Sequence, residues 1–119
     1  MIDSDLEAKF NLMNKICFDG SLPMVDDLRY KKHNYCNGVF IIEKNLDHTN
    51  KYSIELDPSL ENSDGLDYVL LHEMVHFWSV LNGQKHRRHC SKFRKRFQKA
   101  NLAWGGYLLG HLSAETYSA

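Results

Sequence analysis

Two histidines four residues apart, with a glutamate directly after the first, stand in the run His72-Glu73-Met74-Val75-His76. On a helix this spacing puts both imidazoles on one face, one turn apart, where they can share a tetrahedral metal ion. Glu73 is rotated to the side, within reach of a metal-bound water that it could deprotonate. The surrounding segment, Tyr68-Val-Leu-Leu-His-Glu-Met-Val-His-Phe-Trp-Ser-Val-Leu81, is otherwise apolar. Burying three ionisable side chains in one turn of such a helix is costly unless something ligates or pairs them. The pattern therefore predicts a metal centre, and its glutamate predicts hydrolysis.

A catalytic zinc usually takes three protein ligands and leaves the fourth position to water, so a third donor is needed. Downstream candidates are His86, His89, His111 and Glu115; upstream stand His33 and His48. His89 immediately precedes a predicted helix bearing Phe93 and Phe97, which would fix its backbone, and it is the preferred ligand. His86, mid-loop among Lys85, Arg87 and Arg88, reads as a solvated residue, and His33 and His48 as ordinary surface histidines. Tyr107, His111 and Tyr117 have the right chemistry for a second oxyanion donor, but the sequence selects none of them.

These groups need a scaffold. Leu6, Phe10, Met13 and Cys17 recur at helical spacing, so residues 4–18 are predicted to form an amphipathic helix with Ser4 or Asp3 as N-cap. Phe18-Asp-Gly-Ser-Leu-Pro23 ends it, with Gly20 in the left-handed conformation. Strands are expected at 24–30, the weakest, 37–43 and 52–56, the last two joined by the polar connection 45–50. The helix carrying the histidines should span 66–81, capped by Asp64, with Asp67 at the positive end of its dipole and Asn82-Gly83 as its stop. A basic loop, 84–89, leads to a helix at about 91–101 with Phe93, Phe97 and Ala100 facing the core; pattern does not decide the glycine-bearing tail. The expected fold class is α+β: an N-terminal helix, a small three-stranded sheet, the active-site helix and a following helix, as in a zincin-like core. An exposed strand, at 37–43 or 52–56, could take an extended substrate on its edge.

A length of 119 residues bounds one domain, 1–119. No apolar run reaches membrane-span length, and the acidic opening lacks a signal-peptide layout. Cys17, Cys36 and Cys90 form no C-x-x-C pair and are odd in number, so they are expected as reduced, buried thiols of a cytoplasmic protein. The net charge of zero hides a division. Residues 1–73 carry 14 acidic and 7 basic side chains, whereas Met74 to Ala114 contains no Asp or Glu and eight Lys or Arg crowd between Lys85 and Lys99. A one-signed patch can recruit a polyanion, which makes Lys85, Arg87, Arg88, Lys92 and Arg96 candidate nucleic-acid contacts.

Four segments, taken in order, resemble the SprT-like metalloprotease domain, the core of the Spartan DNA–protein crosslink proteases. Phe18-Asp-Gly-Ser-Leu-Pro23 is similar to the family's F-N-G-x-L-P stretch, and Gly38-Val-Phe40 to its G-x-F or G-x-C strand element. Leu71-His-Glu-Met-Val-His76 is similar to its active-site helix. Gly83 followed by His89-Cys-Ser-Lys-Phe93 is similar to its H-x-x-x-[FW] element, whose histidine is the third zinc ligand. Two features depart from the family. Cys90-Ser91-Lys92 stands where Gly-Pro-Glu or a similar triplet is frequent, and there is no C-terminal four-cysteine zinc ribbon, so the chain resembles a minimal version. The resemblance implies a zinc metallopeptidase with Zn²⁺ on His72, His76 and His89 and Glu73 as general base. Its substrate would be a protein or peptide, with DNA as a partner through 85–99. The alternatives are a non-catalytic zinc-containing module that binds nucleic acid or protein, and a regulator protease independent of DNA. Glu73 favours an enzyme, because a structural site has no need of a carboxylate beside its ligands.

Overall fold

Asp3 opens the first helix: its carboxylate accepts the backbone N–H groups of Asp5 and Leu6, each at 3.0 Å. In the computed structural model, which describes residues 1–84 and 89–118 (side chains only as far as Gly110), helix α1 spans Ser4–Phe18. It buries Leu6, Phe10, Met13 and Cys17, the stripe that the spacing predicts. Its exit is tighter than expected, since Asp19 (φ 53°) as well as Gly20 (φ 73°) is left-handed. Asn14 clamps the turn, its amide donating to the Leu22 carbonyl at 2.7 Å and accepting the Leu22 N–H at 3.1 Å. Leu22 and Val25 are thereby delivered into the core.

Strands β1 (Asp27–Tyr30), β2 (Gly38–Lys44) and β3 (Asn50–Leu56) form a mixed sheet in the order β1-β3-β2. The central β3 runs parallel to β1 and antiparallel to β2. All three expected strands are present; the first is shorter than expected and the third begins two residues earlier. Tyr52, Ile54 and Leu56 belong to the core side, where Tyr52 meets Phe77 with ring centroids 5.0 Å apart. The alternation suggests a solvated opposite face, yet Ser53 and Glu55 are only 3% and 2% exposed. Arg29 and His33 cover Glu55, with Arg29 Nε at 2.7 Å and His33 Nε2 at 2.9 Å from its carboxylate oxygens, and Lys51 reaches Asp27 beside Ser53. His33 is thus the partner of a buried carboxylate rather than an ordinary surface histidine. His48 lies exposed in the β2–β3 turn.

A short 3-10 turn, Pro58–Leu60, leads to α2 (Leu66–Leu81), whose bounds are those the apolar period predicts. Its N-cap is Gly65 and not Asp64, and no side chain caps it. Asp67, in the first turn, pairs with Lys9 of α1 and accepts the Trp104 indole N–H at 2.9 Å. The following helix, α3, is one element of 28 residues, Ser91–Ser118, where local pattern supports only 91–101. Trp104 continues the stripe of Phe93, Phe97 and Ala100 into the core, and this burial overrides the poor helix propensity of Gly105 and Gly106. α2 lies against β2 and β3, and α3 packs on α1 and α2, so the core sits between sheet and helices in an α+β arrangement. Cys17 is buried, and burial pushes its thiol up to about 11; Cys36 and Cys90 are exposed, contrary to expectation. The N–H groups of Phe93 and Lys92, at the start of α3, lower the Cys90 thiol. Among the described residues no helix is long and apolar enough to cross a membrane.

Candidate metal centre

One turn of α2 separates His72 from His76, whose ring centroids are 4.9 Å apart. His89, just ahead of α3, turns back toward them and brings its Nε2 to 3.1 Å from the Nε2 of His76. Its ring lies 4.9 Å from that of His72. One ligand atom from each of the three imidazoles falls within 4.8 Å of the other two, so the group could hold a metal ion. His33 and His48 lie elsewhere in the fold and do not join it. His86, Lys85, Arg87 and Arg88 are outside the described residues, as are the side chains of His111, Glu115 and Tyr117.

Behind the imidazoles stands a wall of rings from α3. Phe93 is 3% exposed and its ring centroid lies 4.5 Å from that of His76, 4.7 Å from His89 and 5.2 Å from His72. Phe97 touches His72 at 5.2 Å. The sequence reads Phe93 as core, which is correct as to burial but misses its contact with all three candidate ligands. The available signal was its position one helical turn beyond His89.

Glu73 is 6% exposed, with Oε2 3.3 Å from His72 Nδ1. β2 comes very close to it. A Cβ built on Gly38 would lie 2.5 Å from Val69 Cγ1 and 3.4 Å from Glu73 Oε2, so the strand approaches the helix at this distance only because residue 38 has no side chain. Between strand and helix opens a cleft of about 560 Å³, lined by β2 from Gly38 to Ile42 and by Glu73 and the three histidines. β3 is paired on both sides, so of the two strands considered for an extended ligand only β2 has an edge open to another strand among the described residues. The outer edge of β1 is met by a bridge from Ile2 to Leu28.

The SprT-like family matches residues 6–117, nearly the whole chain. The chain belongs to the SprT-like family. No curated protein and no solved structure matches it. In this SprT-like chain the segment Phe18–Pro23 is the exit clamped by Asn14, Gly38 is the close-approach glycine, and His89 and Phe93 flank the start of α3. The donor set also fits a cation. Nitrogen ligands of a tetrahedral zinc stand about 3.3 Å apart for bonds of roughly 2.0–2.1 Å, close to the separation between His76 and His89.

The remaining candidates divide. Tyr107 is half-buried and stacks on Trp104 with centroids 5.3 Å apart, and it is not among the described residues that line the cleft. Arg96 is half-buried: its guanidinium donates to the Cys17 carbonyl at 2.6 Å and lies over the Phe18 and Trp78 rings at 4.4 and 5.3 Å. It is a strut between helices. Lys92 is exposed, and with Lys95 and Lys99 it surrounds a shallow groove beside Trp78.

Proposed function

We propose that this SprT-like chain is a zinc-dependent endopeptidase. The observation that carries the reading is the meeting, in one cleft, of three clustered imidazoles, a buried carboxylate and a free strand edge. Three neutral imidazoles suit Zn²⁺ best among common ions. Held by His72, His76 and His89, zinc would polarise a substrate carbonyl and lower the pKa of a water in the cleft toward neutrality.

The chain's own groups do the rest. Glu73 takes a proton from the attacking water and returns it to the leaving amine nitrogen. Its burial beside His72 keeps the carboxylate out of bulk solvent and aimed into the cleft. The free edge of β2 holds the substrate extended through main-chain hydrogen bonds, which position the scissile bond without demanding a particular sequence. His72, His76 and His89 are oriented by the rings of Phe93 and Phe97, so little rearrangement is needed on binding.

A recruiting role for α3 is the second reading, favoured by the exposed, one-signed face of Lys92, Lys95 and Lys99 beside Trp78. Such a face suits a phosphate backbone, with binding that weakens steeply as salt rises. Titration of labelled DNA at two salt concentrations tests it, and no binding at low salt rejects it.

For the peptidase, elemental analysis of the wild type should give one zinc per chain, lost in His89→Ala. Glu73→Gln should keep the zinc and lose peptide hydrolysis by at least about two orders of magnitude. Wild-type protein that binds no zinc, or Glu73→Gln protein that cleaves at the wild-type rate, rejects the reading.

A further inference from the structure

Across His72 and His89 from the β2 cleft lies a second groove, of about 420 Å³, between the start of α2 and the first turns of α3. Its walls are aromatic. Tyr68, one turn before His72, meets Phe97 edge-on at 5.2 Å, and Phe97 stacks on Phe93 at 6.2 Å with the rings 10° from parallel. Tyr68 and Leu102, both in the lining, are 58% and 71% exposed. Exposed apolar surface gathered in one concave place marks a binding site more often than scattered single residues do. The rim is polar and carries one sign, through Arg94. Among the described residues the Arg94 guanidinium has no hydrogen-bond or ion-pair partner. No Asp or Glu occurs between Met74 and Ala114 to neutralise it from the neighbouring turns of its helix.

We propose that this groove is a specificity subsite for one large apolar side chain of the substrate, aromatic by preference, and that Arg94 selects an acidic residue beside it. The inference rests on the peptidase reading above. The cleft and the groove share His72 and His89, so a chain laid along β2 and crossing the imidazoles sets a side chain next to the scissile bond into the groove. Parallel and edge-on rings at its back favour a phenyl or phenol ring over a branched aliphatic one. The unpaired cation at the mouth supplies the charge complementarity.

Binding, separate from turnover, tests it. Zinc-loaded Glu73→Gln protein is titrated with four fluorescein-labelled hexapeptides that carry Phe or Ala at one position and Asp or Lys at its neighbour. The Phe-Asp peptide should bind tightest, exchange of Phe for Ala should weaken binding about tenfold or more, and exchange of Asp for Lys several-fold. Leu102→Lys should abolish the preference for Phe, and Arg94→Glu should invert the preference for Asp. Both residues are exposed, so both variants should fold, as circular dichroism checks. Equal binding of the Phe and Ala peptides, no binding of any of them, or preferences unchanged in both variants overturns the subsite. If the wild type fails to cut a peptide that the Glu73→Gln protein binds with the Phe preference, the peptidase reading falls and the subsite stands. Equal cleavage of all four peptides does the reverse.

Discussion

Phe93 touches each of the three imidazoles, so its flat face limits how far they can turn. Phe93→Leu keeps an apolar side chain at the position and removes the face. Zinc affinity should fall about tenfold or more, as for other groups that orient metal ligands, and competition against a chromophoric chelator reads it. Unchanged affinity would mean that the histidines are positioned without the ring. Glu55 poses an electrostatic question instead. Burial pushes its pKa up, but hydrogen bonds from Arg29 and His33 outweigh this and hold it below its ordinary value of 4.5. A carboxylate lowered in the folded state contributes stability that is complete above its unfolded pKa and is lost as pH falls through the folded one. Glu55→Gln should therefore cost about 1–3 kcal/mol near neutrality and make stability less sensitive to pH below 4.5, as urea unfolding at several pH values would show. Equal acid sensitivity in both proteins would assign the effect to other carboxylates. The spacing of His72, Glu73 and His76 is legible because one element carries all three. Asn14, His33 and Arg96 are not, because each acts on a partner that only the folded chain brings near.

At the scale of elements, α2 and the two longer strands follow from periodicity alone, whereas the course of α3 does not. Local propensity stops that helix near 101, and tertiary burial of Trp104 carries it on through Gly105 and Gly106. A Cβ at Gly106 would meet nothing within 4 Å, and its φ is not in the left-handed region. Gly106→Ala should then raise stability by about 0.5–1 kcal/mol, with a higher melting temperature and more helical circular dichroism. A loss of either would place a non-helical turn at that residue. The parallel pairing of β1 with β3 is equally hidden, since alternation says which face a residue takes and nothing about which strand lies beside which.

For the molecule as a whole, two of the histidines belong to α2 and the third stands two residues before α3, so a shared ion would fasten α2 to the beginning of α3. Zinc that binds the folded chain and not the unfolded one adds about 2.7 kcal/mol when free zinc is a hundredfold above its dissociation constant. Thermal melts should rise with zinc and fall with a chelator, and the shift should vanish in His89→Ala. The sheet's order carries a different consequence. Among the described residues β2 is an edge strand, with no strand hydrogen-bonded along its outer side. Such an edge does not distinguish a substrate from the same strand of another copy, and two chains could zip together there and occlude both clefts. Glu43 and Lys44, exposed at the strand's end, put charge where a second copy would begin to pair, a guard against self-association built into the same seven residues.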